Sequence, residues 1–167
     1  MSDYIGFFLN SKSSVVSLET LEISHPSFSK TYYIVRNAVK GFTGNDENGK
    51  SISFEYYPLS ISVNGVKNDL DSGINISLGD LGEIIPNEID RIYKANSFDI
   101  KPIVKYRTYR SDDLSGPMFG PLVYEIPSFS FDGSNSSFEA TAPRLNSNKT
   151  GIIYDISSTF RTLRGYL

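Results

Sequence analysis

Leu18-Glu19-Thr20-Leu21-Glu22-Ile23, Thr31-Tyr32-Tyr33-Ile34-Val35-Arg36 and Ser51-Ile52-Ser53-Phe54-Glu55-Tyr56 alternate apolar with polar residues, and Tyr57-Pro58-Leu59-Ser60-Ile61-Ser62-Val63 follows at once. Alternation at period two marks a strand with one buried face. Four such runs in succession predict a sheet against which the rest of the chain packs. The second run is apolar on both sides, with Tyr33 and Val35 facing one way and Tyr32 and Ile34 the other. That pattern places it centrally. In the third run Ile52, Phe54 and Tyr56 share a face; after Pro58 the apolar set is Leu59, Ile61 and Val63. The phase slips by one residue at Tyr57-Pro58, which predicts a bend or bulge, as at a barrel or sandwich corner.

Around this stretch the signals are local. Asn45-Asp46-Glu47-Asn48-Gly49-Lys50 is a turn cluster with an Asn-Gly step, and predicts a hairpin joining a strand near Val39 to Thr43 with Ser51 to Tyr56. Upstream, Val15 to Ser24 reads as the first long strand, broken at His25-Pro26. His25 is the only histidine. No partner stands at metal or catalytic spacing, so a structural role is expected for it. Downstream, Asn68-Asp69-Leu70-Asp71-Ser72-Gly73 resembles part of a calcium loop but lacks its third acidic position and distal glutamate, and reads as a solvated turn. Ile74, Ile76 and Leu78 suit a strand. Ile85, Ile89 and Ile92 fall at i, i+4, i+7 and predict a short helix from Ile85 to Lys94. Further strands are expected at Lys101 to Arg110, Leu122 to Ile126, Ser128 to Phe131 and Phe138 to Ala142. The fold class is therefore mainly β (α+β): an antiparallel barrel or sandwich over residues 15–142 with one short helix packed on it. Residues 1–14 and 143–167 form an N-terminal and a C-terminal arm.

Composition narrows the function. The chain has 167 residues, 39% hydrophobic and 21% charged, with a net charge of −3. This suits one soluble domain and argues against a dedicated nucleic-acid binder. Without cysteine there are no disulfides, no thiol catalysis and no cysteine-ligated zinc. No apolar run approaches the roughly 20 residues that span a bilayer, and Met1-Ser2-Asp3-Tyr4 does not open like a signal peptide. The expected location is a cytoplasm, or a particle assembled there. Eleven Tyr and 11 Phe with no Trp favour β structure. The carboxylate pairs Asp69/Asp71 and Asp112/Asp113 fall in turn sequences, where they serve local hydrogen bonds. There is neither a Gly-x-Ser-x-Gly elbow nor a Gly-rich phosphate loop. No catalytic residue, metal or cofactor is expected, and the chain does not read as an enzyme.

What remains is contact surface. Phe7 and Phe8 belong to an apolar patch at the N-terminus that either lies on the domain's own core or docks on a neighbouring subunit. Met118 and Phe119 stand in a loop with two Gly-Pro steps, and are exposed unless they fold back. Phe160, Leu163 and Tyr166 are apolar anchors in a tail that follows Asn146-Ser147-Asn148-Lys149; it either crosses to a neighbour or returns to its own domain. Lys105 and Arg107 form a positive strand face that meets solvent, a neighbour's carboxylates or nucleic acid.

The segment Leu18-Glu19-Thr20-Leu21-Glu22-Ile23-Ser24-His25-Pro26-Ser27-Phe28 resembles the opening of a family of tailed-bacteriophage minor tail proteins, known as domain of unknown function 1833. The order of the later segments is similar too: the aromatic-proline strand at Ser51 to Val63, strand into helix over Ile74 to Lys94, Gly120-Pro121-Leu122, and the terminal Gly165-Tyr166-Leu167. The resemblance covers about residues 15–167; Arg164-Gly165-Tyr166-Leu167 departs from the more proline-rich ending expected. It implies a virion component of the distal tail, assembled in the host cytoplasm. Its partners would be copies of itself in a ring, a hexamer rather than a trimer, and the tail tube and hub proteins. A passing contact with DNA in the tail lumen is implied as well, and no membrane. It brings no catalytic residues. The alternative is a carbohydrate-binding β-module without catalysis, stacking sugars on Tyr56, Tyr57 and Tyr109.

Overall fold

The computed structural model of the protein describes residues 15–63, 73–79, 84–97, 99–132 and 135–142, together with Ile5 and Phe8. The chain is mainly β, as its alternation predicts. Its strands are β1 (Ser17–Ser24), β2 (Tyr32–Val35), β3 (Phe42–Asn45), β4 (Ser51–Tyr56), β5 (Leu59–Val63), β6 (Gly73–Gly79), β7 (Ile103–Arg110), β8 (Phe119–Asp132) and β9 (Asn135–Thr141). A short helix, α1 (Ile84–Ala95), stands between β6 and β7. The strands form one sheet in the order β3-β4-β2-β1-β7-β8-β9-β6-β5.

The sheet is mixed and not closed. Its neighbours are antiparallel except β2 and β4, which run parallel. The parallel pair arises because the β3–β4 hairpin lays its second strand, not its first, against β2. The ends nevertheless meet. The phase slip at Tyr57-Pro58 is a bend: the Tyr57 N–H donates to Val35 O at 3.2 Å, and the Gly79 N–H donates to Pro58 O at 2.9 Å. In two residues the chain passes from β4, near one end of the sheet, to β5 at the other.

The curl encloses the main core, built from Leu21, Ile34, Ile76, Val104, Ile126 and Phe138 among others. The helix lies on it through Ile85, which is fully buried, and Ile92. Its C-terminus is capped by Asn96 in the left-handed region (φ 52°). The Asn96 N–H donates to Tyr93 O and the Ser97 N–H to Ile92 O, the pair of bonds that satisfies last-turn carbonyls. Glu88 ties the helix to the sheet. Buried, it accepts from the Ser29 N–H at 2.8 Å and the Tyr32 hydroxyl at 2.8 Å, and also from Ser29 Oγ.

A second, smaller core lies on the opposite face. Tyr33 and Val35 point away from the main core, as predicted for a central strand, and the β3–β4 hairpin covers them. Phe54 stacks on Phe42 at 4.8 Å between ring centroids and meets Tyr109 at 5.5 Å. The first strand of this hairpin starts later than the expected Val39. The Gly41 N–H donates to Ala38 O at 2.8 Å with Gly41 at φ 65°, so residues 38–41 form a turn and pairing begins at Phe42. The second turn is as predicted: Asp46 Oδ1 accepts from the N–H groups of Asn48 and Lys50.

Of the segments singled out above, the loop at Asn68 to Ser72, Phe7, and the C-terminal arm with Phe160, Leu163 and Tyr166 lie outside the described residues.

Candidate functional site

Alternation along β7 puts Val104 and Tyr106 against the main core and Lys105, Arg107 and Tyr109 on the other face. The expected open positive surface is not what results. The β3–β4 hairpin folds over this face, and Arg107 is 1% exposed while Tyr109 is fully buried. The β1–β7 register sets Glu22 opposite Lys105 and Thr20 opposite Arg107, so Glu22 lies one diagonal step from the guanidinium. Arg107 Nη1 donates to Glu22 Oε2 at 2.6 Å. Its Nε and Nη2 donate to the two oxygens of Glu47, in the hairpin turn, at 2.9 and 3.2 Å. Two parallel bonds to one carboxylate are the strong geometry for arginine. Lys105 Nζ approaches Glu22 Oε1 at 3.4 Å. The carboxylates come from the chain itself, not from a neighbour. Arg107 is thus removed from the contact surface, while the Lys105 side chain keeps 32% of its exposure.

The electrostatics follow. Desolvation works against the Arg107 charge, but the hydrogen bonds to Glu47 and Glu22 outweigh it and raise its pKa. The Arg107 hydrogen bonds hold the Glu47 carboxyl below its ordinary value. Burial acts to raise Glu88, yet the bonds from Ser29 and Tyr32 prevail and lower it. Burial pushes Tyr109 up to about 12. A depressed carboxylate stabilises the fold above its unfolded pKa, and that stabilisation is lost as pH falls through the folded value. Stability should therefore hold at neutral pH and decline below the ordinary glutamate value of 4.5. Denaturation midpoints measured between pH 7 and pH 3 (roughly the span set by glutamate titration) check this. The decline should be shallower in Glu47→Gln and shallower still with Glu88→Gln added; equal slopes in all three proteins would count against the assignment.

The remaining candidates sort by burial. His25 is buried: its Nδ1 accepts from the Ser27 N–H and its Nε2 bonds Ile100 O, both at 3.0 Å. One neutral tautomer satisfies both bonds, a structural role. Asp112 takes a fork from Arg110, and Asp113 accepts from Ser115, as their turn setting predicts. Met118 does not stay on the surface. Its N–H donates to Thr108 O at 2.8 Å, which folds the loop back beside β7 and buries the side chain. Phe119 remains 40% exposed. Of the three tyrosines considered for sugar stacking, Tyr109 is sealed in the second core. Tyr57 packs against the main core, and Tyr56 is partly exposed.

Two surface features were not legible beforehand, because each joins segments distant in sequence. One is an apolar groove of about 330 Å³ between α1 and the start of β7 and middle of β8, lined by Ile89, Ile92, Tyr93, Ile100, Pro102 and Phe129. The other is a shallow hollow of about 320 Å³ on the outer face of the far half of the sheet. There Ser60, Ser77, Ser137 and Ser130 stand side by side on four neighbouring strands.

Fold and site together define a mainly β module whose buried charges pair with one another, on a sheet that leaves apolar residues at its surface. The chain belongs to the family described as Domain of unknown function (DUF1833), which matches residues 7–141. No match was found among curated proteins.

Proposed function

We propose that the protein is a structural component of a tailed-phage virion. It would form a ring at the distal tail that joins the tail tube to hub or receptor-binding proteins. The resemblance of Leu18 to Phe28, and of the segment order after it, to minor tail proteins supplies the class. The observation that carries the reading is large apolar side chains left in solvent at separate places. Ile5 and Phe8 are 69% and 66% exposed, and Tyr93 and Ile100 on the groove are 62% and 49% exposed. Grouped apolar exposure of this kind marks a protein–protein contact. The test is the mass of the purified chain under native conditions, beside its copy number in intact particles. A cyclic homo-oligomer is expected, a hexamer rather than a trimer; one copy per particle would refute the ring.

A second reading, carbohydrate binding without catalysis, draws on the row of serines rather than on the tyrosines. Hydroxyls in register can bond a polyhydroxylated ligand. A glycan array separates it from the first reading.

A further inference from the structure

We propose that Asn48 is a deamidation site whose reaction the folded β3–β4 hairpin restrains and the bond between Glu47 and Arg107 gates. The proposal is independent of the ring reading above. Asn48 precedes Gly49 and stands exposed at the hairpin tip. Asparagine before glycine is the asparagine step most open to cyclisation, because glycine has no side chain to block ring closure and rotates freely about its backbone. The Gly49 amide nitrogen gives its proton to hydroxide and attacks Asn48 Cγ. An N–Cγ bond forms and the Cγ–Nδ2 bond breaks; Nδ2 takes a proton from water and leaves as ammonia. The product is a five-membered succinimide. Water then opens it at either carbonyl, giving aspartate or isoaspartate at position 48, and nothing is oxidised or reduced.

In the folded hairpin the attacking nitrogen is engaged. The Gly49 N–H donates to Asp46 O at 3.1 Å, so the proton that must leave is one the turn holds. Asp46 Oδ1 accepts from the N–H groups of Asn48 at 2.8 Å and Lys50 at 2.7 Å, and the Asp46 N–H donates to Lys50 O at 2.9 Å. These bonds fix the backbone on both sides of Asn48 and oppose the rotation that brings Cγ to the Gly49 nitrogen. The Asp46 carboxylate beside these amides also disfavours an anionic nitrogen. Ring closure therefore requires the tip to open, a local event distinct from global unfolding. Opening pulls against Glu47, the residue before Asn48, whose two oxygens accept from Arg107 Nε and Nη2. Arg107 is buried in β7, so this clamp sets how often the tip is free. The reaction in turn loosens the clamp. Either product adds a carboxylate beside Glu47, and isoaspartate runs the chain through Cγ, lengthening the turn by one atom that the Asp46 bonds do not accommodate.

The full-length chain is aged in mildly alkaline buffer, native and in urea. Peptide mapping then reads the mass gain and the isoaspartate at Asn48. Asn64 also precedes a glycine and reports the intrinsic rate in urea within the same chain. Asn48 should react in urea about as fast as Asn64, and at least several-fold more slowly in the native chain. Glu47→Ala, which leaves Arg107 its bond to Glu22, should raise the native rate at Asn48 several-fold without changing its rate in urea. Aged wild type should show quickened hydrogen exchange in β3 and β4, and an Asn48→Gln chain aged beside it should not. Equal rates at Asn48 in the native chain and in urea would overturn the proposal. So would an inert Asn48 in urea while Asn64 reacts, an unchanged native rate in Glu47→Ala, or identical exchange in the two aged chains.

Discussion

Arg107→Ala should destabilise the fold by about 3–5 kcal/mol, the cost of stranding a buried partner charge. For a chain of this size that is a fall in Tm on the order of 10 °C. The magnitude depends on what is left behind. Arg107 is sealed, and its removal orphans two carboxylates. Glu47 sits at the rim, with 30% of its side chain exposed, and can turn to water. Glu22 has 10% exposure and, among the described residues, keeps Lys105 at 3.4 Å. Most of the penalty therefore falls on Glu22. The cluster also pins the tip of the β3–β4 hairpin to β7, so its loss should loosen the second core first. Two comparisons isolate the mechanism. Lys105→Ala removes the partly exposed lysine and leaves Glu22 its shorter bond to Arg107, so it should cost under about 1 kcal/mol. Arg107→Met combined with Glu22→Leu removes the charges together and should cost less than Arg107→Ala, because apolar replacements of a buried pair are often neutral. Urea denaturation of the three variants checks this. An Arg107→Ala protein within about 1 kcal/mol of wild type (the range typical of exposed pairs) would show that the cluster is solvated.

The fold was legible wherever one residue's neighbours in sequence decide its environment. Period-two runs located the strands, and Ile85, Ile89 and Ile92 located the helix. The phase slip at Tyr57-Pro58 located the bend that brings the ends of the sheet together. Legibility failed where a distant segment covers a face. Lys105 and Arg107 look like a solvent-exposed stripe until the hairpin is laid over them. Nothing within β7 announces that Glu47, 60 residues away, will close that face. A weak signal did exist. Leu18, Thr20 and Glu22 share a face of β1 with an acid at its end, and a hairpin turn carries a second acid. Both are what a buried arginine on the neighbouring strand requires. The pairing of β4 rather than β3 with β2, and the groove under α1, are likewise products of tertiary placement that period and propensity do not contain.

Gly41→Ala should cost about 2–5 kcal/mol, against about 1–2 kcal/mol for Gly49→Ala, where the backbone term stands alone. The two glycines make a matched pair. Both have positive φ, +65° at Gly41 and +80° at Gly49, and both stand in turns that flank β3. An L-residue in the left-handed region costs roughly 1–2 kcal/mol at either site. The sites differ in what a side chain would meet. At Gly49 a Cβ has nothing within 4 Å, whereas at Gly41 it would lie 2.4 Å from the Phe54 carbonyl oxygen. That oxygen is backbone of β4, and the residue carrying it stacks on Phe42 and abuts Tyr109. Relief must therefore come from moving the 38–41 turn or the strand beneath the second core, and overpacking of this kind adds about 1–3 kcal/mol. The difference between the two substitutions measures the close approach with the conformational term largely cancelled. Equal losses at the two sites would mean that the turn moves away from β4 without strain. A larger loss at Gly41, with hydrogen exchange quickened in β3 and β4 but not in β6 or β9, would locate the damage in the hairpin that covers Arg107.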